Sequence, residues 1–184
     1  MLLHAFRAKA LDHAHTRDGF LDDRRELEGS VAGLVRASGA ARKELAGAPA
    51  SEVVQRAAAA EPGCSATAVR WEEDRVSIAA WNAPLPWLFR FGRPVPFETR
   101  ERDGVSEVSV ETARGDLLVA ASRGLAELHA EGKPEPPEKA IQRLARSAAT
   151  ETLSAAFAEL VADWKKRGTQ PGGRDVLLLA VKRR

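Results

Sequence analysis

Side chains able to bind a metal gather near the start of the chain. Asp12, His13 and His15 stand close to Asp18, Asp22 and Asp23. Imidazole nitrogen and carboxylate oxygen together suit zinc or manganese. The spacing follows no known ligand pattern, so a solvated polar segment is the stronger reading of this run. Cys64 is the one cysteine, which excludes an internal disulfide framework and a CxxC metal knuckle. No activating partner is near it in sequence, and a small buried packing role outweighs a nucleophilic one. Serine, histidine and aspartate are present, but without the arrangement of a hydrolytic triad. The patterns GxxxxGK[ST], GxGxxG, HExxH and GxSxG do not occur. Trp71, Trp81 and Trp87 fall on predicted strands and Trp164 on an apolar helix face, so core packing is favoured over a stacking platform. Lys182, Arg183 and Arg184 read as a solvated basic tail.

These residues sit in a chain of 184 residues with 28 basic and 26 acidic side chains. That length suits a single domain over 1–184, with residues 1–26 the hardest part to place. A net charge of +2 lacks the basic stripe of a nucleic-acid binder. The longest uncharged run, Val76 to Phe89, has 14 residues and contains Pro84 and Pro86, against about 20 apolar residues for a bilayer span. The N-terminus has no apolar core followed by a small-residue cleavage site. A cytoplasmic protein with no membrane or nucleic-acid partner is expected, and the abundance of Arg and Ala suggests a bacterial source.

Along the chain, Leu2 to Ala8 is a candidate strand, and the polar stretch through Arg25 reads as loop. Apolar spacings of three and four predict a helix from Leu27 to Leu45, ended by Gly47 and Pro49. A second helix follows from Ser51, as N-cap, to Ala60. Cys64 to Trp71 and Arg75 to Trp81 then read as a hairpin, with Trp87 to Phe91 a further strand. Val105 to Glu111 and Asp116 to Ser122 are expected to pair across the turn 112–115, and Gly132 to Pro137 to be a surface linker. Helices over 138–148 and 150–167 and an almost wholly apolar strand over 175–182 complete the chain. Separate blocks of strands and helices indicate an α+β fold, mostly antiparallel, with helices flanking a sheet or sandwich.

Four pieces of the second half carry a resemblance. Residues 115–127, GDLLVAASRGLAE, resemble the GDLLLLYTDGLTE segment of the metal-dependent PPM-type phosphatases, in the branch named after the stage II sporulation phosphatase E. Asn82 to Pro86 resembles their NAGHP stretch, the helices of 138–167 their helical insertion, and 173–181, GRDVLLLAV, their closing RDDVTLLVV strand. Glu28 to Ala32 lies where a GHGxxA helix start would be, and Arg17 to Phe20 is a faint echo of the early GD motif. The resemblance implies an αββα sandwich, here with N-terminal strands shortened or missing.

Within that resemblance, the carboxylates of TDG and of the closing DD pair hold two divalent metals. This chain has Arg123 and Arg174 at those positions. A guanidinium has no lone pair for a metal, so no cofactor is expected and no catalytic residue is assigned. The expectation is a catalytically degenerate phosphatase-like domain acting by protein binding, with Arg123 and Arg174 either paired to Asp116, Glu127 or Asp175, or binding an anion by their fork geometry. The alternative is an active Mn- or Mg-dependent serine/threonine protein phosphatase with displaced ligands among Asp18, Asp22, Asp116 and Asp175. By resemblance, the partner would be an anti-sigma antagonist-type domain or its kinase, and homodimerisation is also implied. The turns after strand 116–122 and before strand 175–182 should converge.

Overall fold

The structure, a computed structural model, describes residues 2–8, 15–20, 48–60, 65–71, 74–130, 132–169 and 176–183. The helix expected over 27–45, Cys64, Asp12, His13, Asp22, Asp23, Arg174 and Asp175 lie outside them.

The strands in chain order begin with β1 (Leu2–Ala8), β2 (His15–Phe20), β3 (Ala66–Trp71), β4 (Arg75–Trp81), β5 (Trp87–Arg90) and β6 (Arg93–Pro94). They continue with β7 (Arg100–Arg102), β8 (Val105–Glu111), β9 (Leu117–Ala121), β10 (His129–Ala130), β11 (Lys133–Pro134) and β12 (Val176–Lys182). The helices are α1 (Ala50–Ala60), α2 (Pro137–Thr150) and α3 (Leu153–Lys166), with a 3-10 turn over Arg123–Glu127. The fold is α+β, and every strand pairing among the described residues is antiparallel. The chain divides into two compact units: Met1–Leu27, Pro86–Val95 and Arg114–Arg184 form one, and Glu28–Leu85 with Pro96–Ala113 the other.

The first unit is built on a six-stranded sheet in the order β2-β1-β12-β9-β5-β6. Its inner strands come from the most apolar runs, because a strand covered on both faces has no side on which to place polar residues. All five residues of β9 are buried, as are Val176, Leu178, Ala180 and Val181 of β12. Pro137 supplies a preset φ in the first turn of α2. Ala140, Ile141, Leu144, Ala145 and Ala148 then line the buried face of that helix. Thr152 separates it from α3, its Oγ1 accepting the Ala155 N–H at 3.2 Å. Leu153, Ala156, Phe157, Leu160 and Trp164 of α3 join Phe89, Val119 and Leu178 in one core. Each large apolar side chain so buried contributes roughly 1.5–3 kcal/mol.

The second unit holds a four-stranded sheet in the order β3-β4-β8-β7, with the β3–β4 hairpin that the sequence predicts. Helix α1 starts at Ala50, one residue before the expected start, and its first bond runs from the Val53 N–H to the Pro49 carbonyl. Ala50 and Val54 pack with Ala66, Ala79 and Val105, and Trp81 lies against that cluster.

Several expectations are corrected. His15–Phe20, read as loop, is a strand paired with β1 over its whole length and forms one edge of its sheet, where one side of the backbone can face solvent and polar residues are tolerated. Strands β8 and β9 do not pair with each other: β8 pairs with β4 and β7, and β9 with β12 and β5. The Thr112 N–H donates to Asp74 O at 2.7 Å, whereas the Gly115 N–H donates to Arg183 O at 2.9 Å, so the two ends of the supposed turn serve different sheets. Residues 132–137 are more than a linker, since Lys133–Pro134 pairs with His129–Ala130 and Glu135 is buried. The basic tail is anchored: Lys182 Nζ donates to Ala148 O at 2.6 Å, and the Arg183 N–H to Asp116 O at 2.9 Å. The lysine thereby satisfies a carbonyl in the last turn of α2, where a cation is favoured.

Candidate functional site at the ends of strand β9

Strand β9 carries a candidate residue beyond each end. Asp116 precedes it, and Arg123 follows after Ser122. The strand is inner and apolar, so its register is held by the core rather than by these polar residues. Ser122 has extended backbone angles, φ −73° and ψ 163°, and its carbonyl accepts the Leu125 N–H at 3.1 Å. That bond turns the chain into the 3-10 helix that begins with the exposed Arg123 and ends with Glu127. Glu127 is half-buried, and its carbonyl lies 2.9 Å from His129 Nδ1.

The register between β9 and β12 runs from Leu178 opposite Ala121 to Lys182 opposite Leu117. The end of β9 therefore lies beside the start of β12, which brings together the two strand ends that the resemblance singles out. Arg174 and Asp175 themselves lie outside the described residues.

Asp116 occupies the other end of the strand. It is separated from Arg123 by an extended run that rises about 3.3 Å per residue, or roughly 20 Å in all. Asp116 and Arg123 thus stand beyond opposite ends of β9. Asp116 is fully buried and is gripped by Arg90, whose Nε and Nη2 donate to its two carboxylate oxygens at 2.9 Å each. The pair follows from the β5–β9 register, in which Phe89 faces Leu117 and the next residues meet beyond them. Arg90 was not singled out from the sequence. The signal was weak, because a lone arginine at the end of a short apolar strand resembles an ordinary surface residue.

Another buried carboxylate, Glu135, is likewise doubly held. Arg143 Nη2 donates to it, and Arg167 Nη2 donates at 2.8 and 3.0 Å. Arg167 also donates through Nε to Asp163 Oδ2 at 3.0 Å. Burial alone would lower the Arg167 pKa, but the hydrogen bond and charge of Glu135, with the charge of Asp163, raise it overall. This cluster ties the strand-to-helix connection to α2 and α3 and leaves its carboxylate little capacity for a ligand.

The described residues do not fit a divalent metal. At the end of β9 the side chains are a hydroxyl and a guanidinium, and the buried carboxylate at the other end accepts from Arg90 through both oxygens. Among the described residues, no three His, Cys, Asp or Glu side chains are grouped so that they could hold such an ion. Of the alternative ligands, Asp18 falls on β2, in register with His4, and Asp22 and Asp175 lie outside the described residues.

No family model matches the chain, and no curated protein matches it. Solved structures do match. The phosphatase domain of the cell fate determinant SpoIIE from Bacillus subtilis, presoaked with Mn, is 15% identical, covers 92% of this chain and 78% of its own, and superposes with a TM-score of 0.49. The photosystem II phosphatase PBCP is 15% identical over 78% of this chain and 74% of its own, with a TM-score of 0.47. PppA, a regulatory component of the type VI secretion system in Pseudomonas aeruginosa, is 15% identical over 72% of this chain and 63% of its own, with a TM-score of 0.44. The likeness is one of fold. The chain resembles PPM-type phosphatase domains in architecture, with antiparallel sheets flanked by helices. No helix among the described residues is long and apolar enough to cross a membrane.

Proposed function

We propose that this chain is a catalytically degenerate serine/threonine phosphatase-like domain that acts by binding another protein, in bacterial cytoplasmic signalling of the partner-switching kind. The observation that carries the reading is Arg123. It stands just beyond the end of β9, where the motif resemblance requires a metal-holding carboxylate. A guanidinium offers five donors and no acceptor, so it repels a dication and cannot ligate one. Asp116, the nearest buried carboxylate along the strand, is committed to Arg90.

A surface feature supports protein binding. The β5–β6 hairpin turns through Phe91 and Gly92, at φ +49° and +74°, and Phe91 is 76% exposed. A bulky residue at positive φ is an outlier that costs of order 1 kcal/mol, and neither burial nor a turn preference explains a phenylalanine there. An aromatic side chain held out on a rigid turn is suited to insertion into an apolar pocket of a partner. An anti-sigma antagonist-type domain or its kinase is the partner class, and homodimerisation belongs to the same reading.

Hydrolysis of p-nitrophenyl phosphate and of a serine-phosphorylated peptide, with and without Mn2+ or Mg2+, tests this. No metal-dependent turnover above the uncatalysed rate is expected. Turnover that requires metal and is lost on Asp18→Asn or Asp175→Asn would overturn the reading in favour of an active enzyme.

A further inference from the structure

One face of the four-stranded sheet is half apolar and half polar, and the division has a chemical meaning. Strand registers align Ala66 with Trp81, Ala68 with Ala79, and Arg70 with Ser77. They continue across the sheet from Ser77 to Ser109 and from Ala79 to Glu107, and then from Glu107 to Arg100. Side chains alternate faces along a strand, so these residues share the face that α1 covers. The cluster under α1 is Ala66, Ala68, Ala79, Trp81 and Val105. None of Arg70, Ser77, Ser109, Glu107 or Arg100 belongs to it. They line instead a cavity of about 660 Å3 just beyond the start of the helix, together with Arg75. Ala50 and Ser51 of the first helical turn form one wall, and Phe97 with Glu98 another.

We infer that this cavity binds a phosphorylated small molecule of nucleotide size. Three guanidiniums face two carboxylates, which leaves an excess of positive charge in one concave site. Arg75 and Arg100 form no ion pair among the described residues, so their donors are not consumed by the fold. Guanidinium forks match phosphate oxygens in pairs, and the two serine hydroxyls in the same cross-strand row can donate to the same group. The volume lies within the ordinary range for small-ligand sites and exceeds what a bare phosphate fills. Phe97 offers a flat apolar surface, and Glu98 and Glu107 offer acceptors for hydroxyl or amino groups. A sugar and base attached to the phosphate would use both. None of the residues considered at the ends of β9 lines this cavity.

Isothermal titration of the whole protein with inorganic phosphate, pyrophosphate, ATP and GTP tests the inference. At least one nucleoside triphosphate should bind saturably and ten-fold or more tighter than inorganic phosphate. The double variant Arg75→Ala/Arg100→Ala should weaken that binding at least ten-fold, while Arg102→Ala, an exposed arginine on β7 outside the cavity, should not. Phe97→Ala should weaken nucleotide binding and leave pyrophosphate binding unchanged. Thermal melting without ligand verifies that each variant is folded. Absence of saturable binding by any probe, binding that survives the double arginine change, or phosphate binding as tight as nucleotide binding would each overturn the inference. These outcomes do not depend on whether the chain hydrolyses phosphoproteins.

Discussion

Arg90 and Asp116 meet at the ends of neighbouring strands β5 and β9 in a two-point ion pair, Nε to Oδ1 and Nη2 to Oδ2, each 2.9 Å long. The Asp116 side chain is completely buried, whereas that of Arg90 is 41% exposed. That asymmetry decides what breaking the pair does. Removal of the arginine strands a buried carboxylate, while removal of the carboxylate leaves a guanidinium that water can reach.

Arg90→Ala should therefore destabilise the protein by about 3 kcal/mol, the lower end of the range for a broken buried pair. Asp116→Asn should cost less, because the amide oxygen still accepts from Arg90. The double change Arg90→Ala/Asp116→Asn should cost less than the two single effects added together. Urea denaturation followed by circular dichroism measures all three. Equal losses for the two single variants would contradict the assigned asymmetry.

The Glu135 cluster yields a related prediction with the charges reversed. Glu135→Ala leaves Arg143 and Arg167 facing each other across an emptied buried position. A loss of about 2–4 kcal/mol is expected, and Glu135→Gln should recover part of it by keeping an acceptor oxygen. Hydrogen exchange should increase first in residues 128–137, which Glu135 fastens to α2 and α3. Uniform exchange across the sheet would argue that the cluster acts globally.

Phe91→Asn should move stability and binding in opposite directions. Asparagine tolerates positive φ and suits a two-residue hairpin turn, so the substitution should stabilise the chain by about 0.5–1 kcal/mol. Association with a protein partner should weaken at least ten-fold, as for loss of an aromatic anchor. Melting temperature and pull-down against candidate antagonist domains give the two readouts. A variant that is stabilised and binds its partner undiminished would remove Phe91 from the interface.

Gly104→Ala examines the β7–β8 turn. Gly104 has φ +76°, and a Cβ there would lie 2.6 Å from Trp81 Cζ3. Backbone strain and the clash act together, so a loss of about 2 kcal/mol or more is expected. Trp81→Leu, which removes the clash but not the strain, should recover part of the loss when combined with it. Denaturant titration monitored by backbone circular dichroism follows both variants without relying on tryptophan emission.

The sequence by itself determined the elements whose burial is written into their composition. The apolar VLLLAVK run reads as a strand covered on both faces, and the periodic apolar residues of α2 and α3 could be placed on their buried faces from spacing alone. Pairing was decided by the tertiary structure. Val105 to Glu111 and Asp116 to Ser122 are close in sequence, yet they separate into different sheets: β9 is buried throughout, whereas only Val105 and Val108 of β8 are buried. Local turn signals cannot express which sheet offers the matching burial. The same limit hid the Arg90–Asp116 pair and the cavity of Arg70, Arg75 and Arg100. In each, charges distant along the chain are brought together by strand register, and register is fixed by apolar faces rather than by the charged residues it aligns.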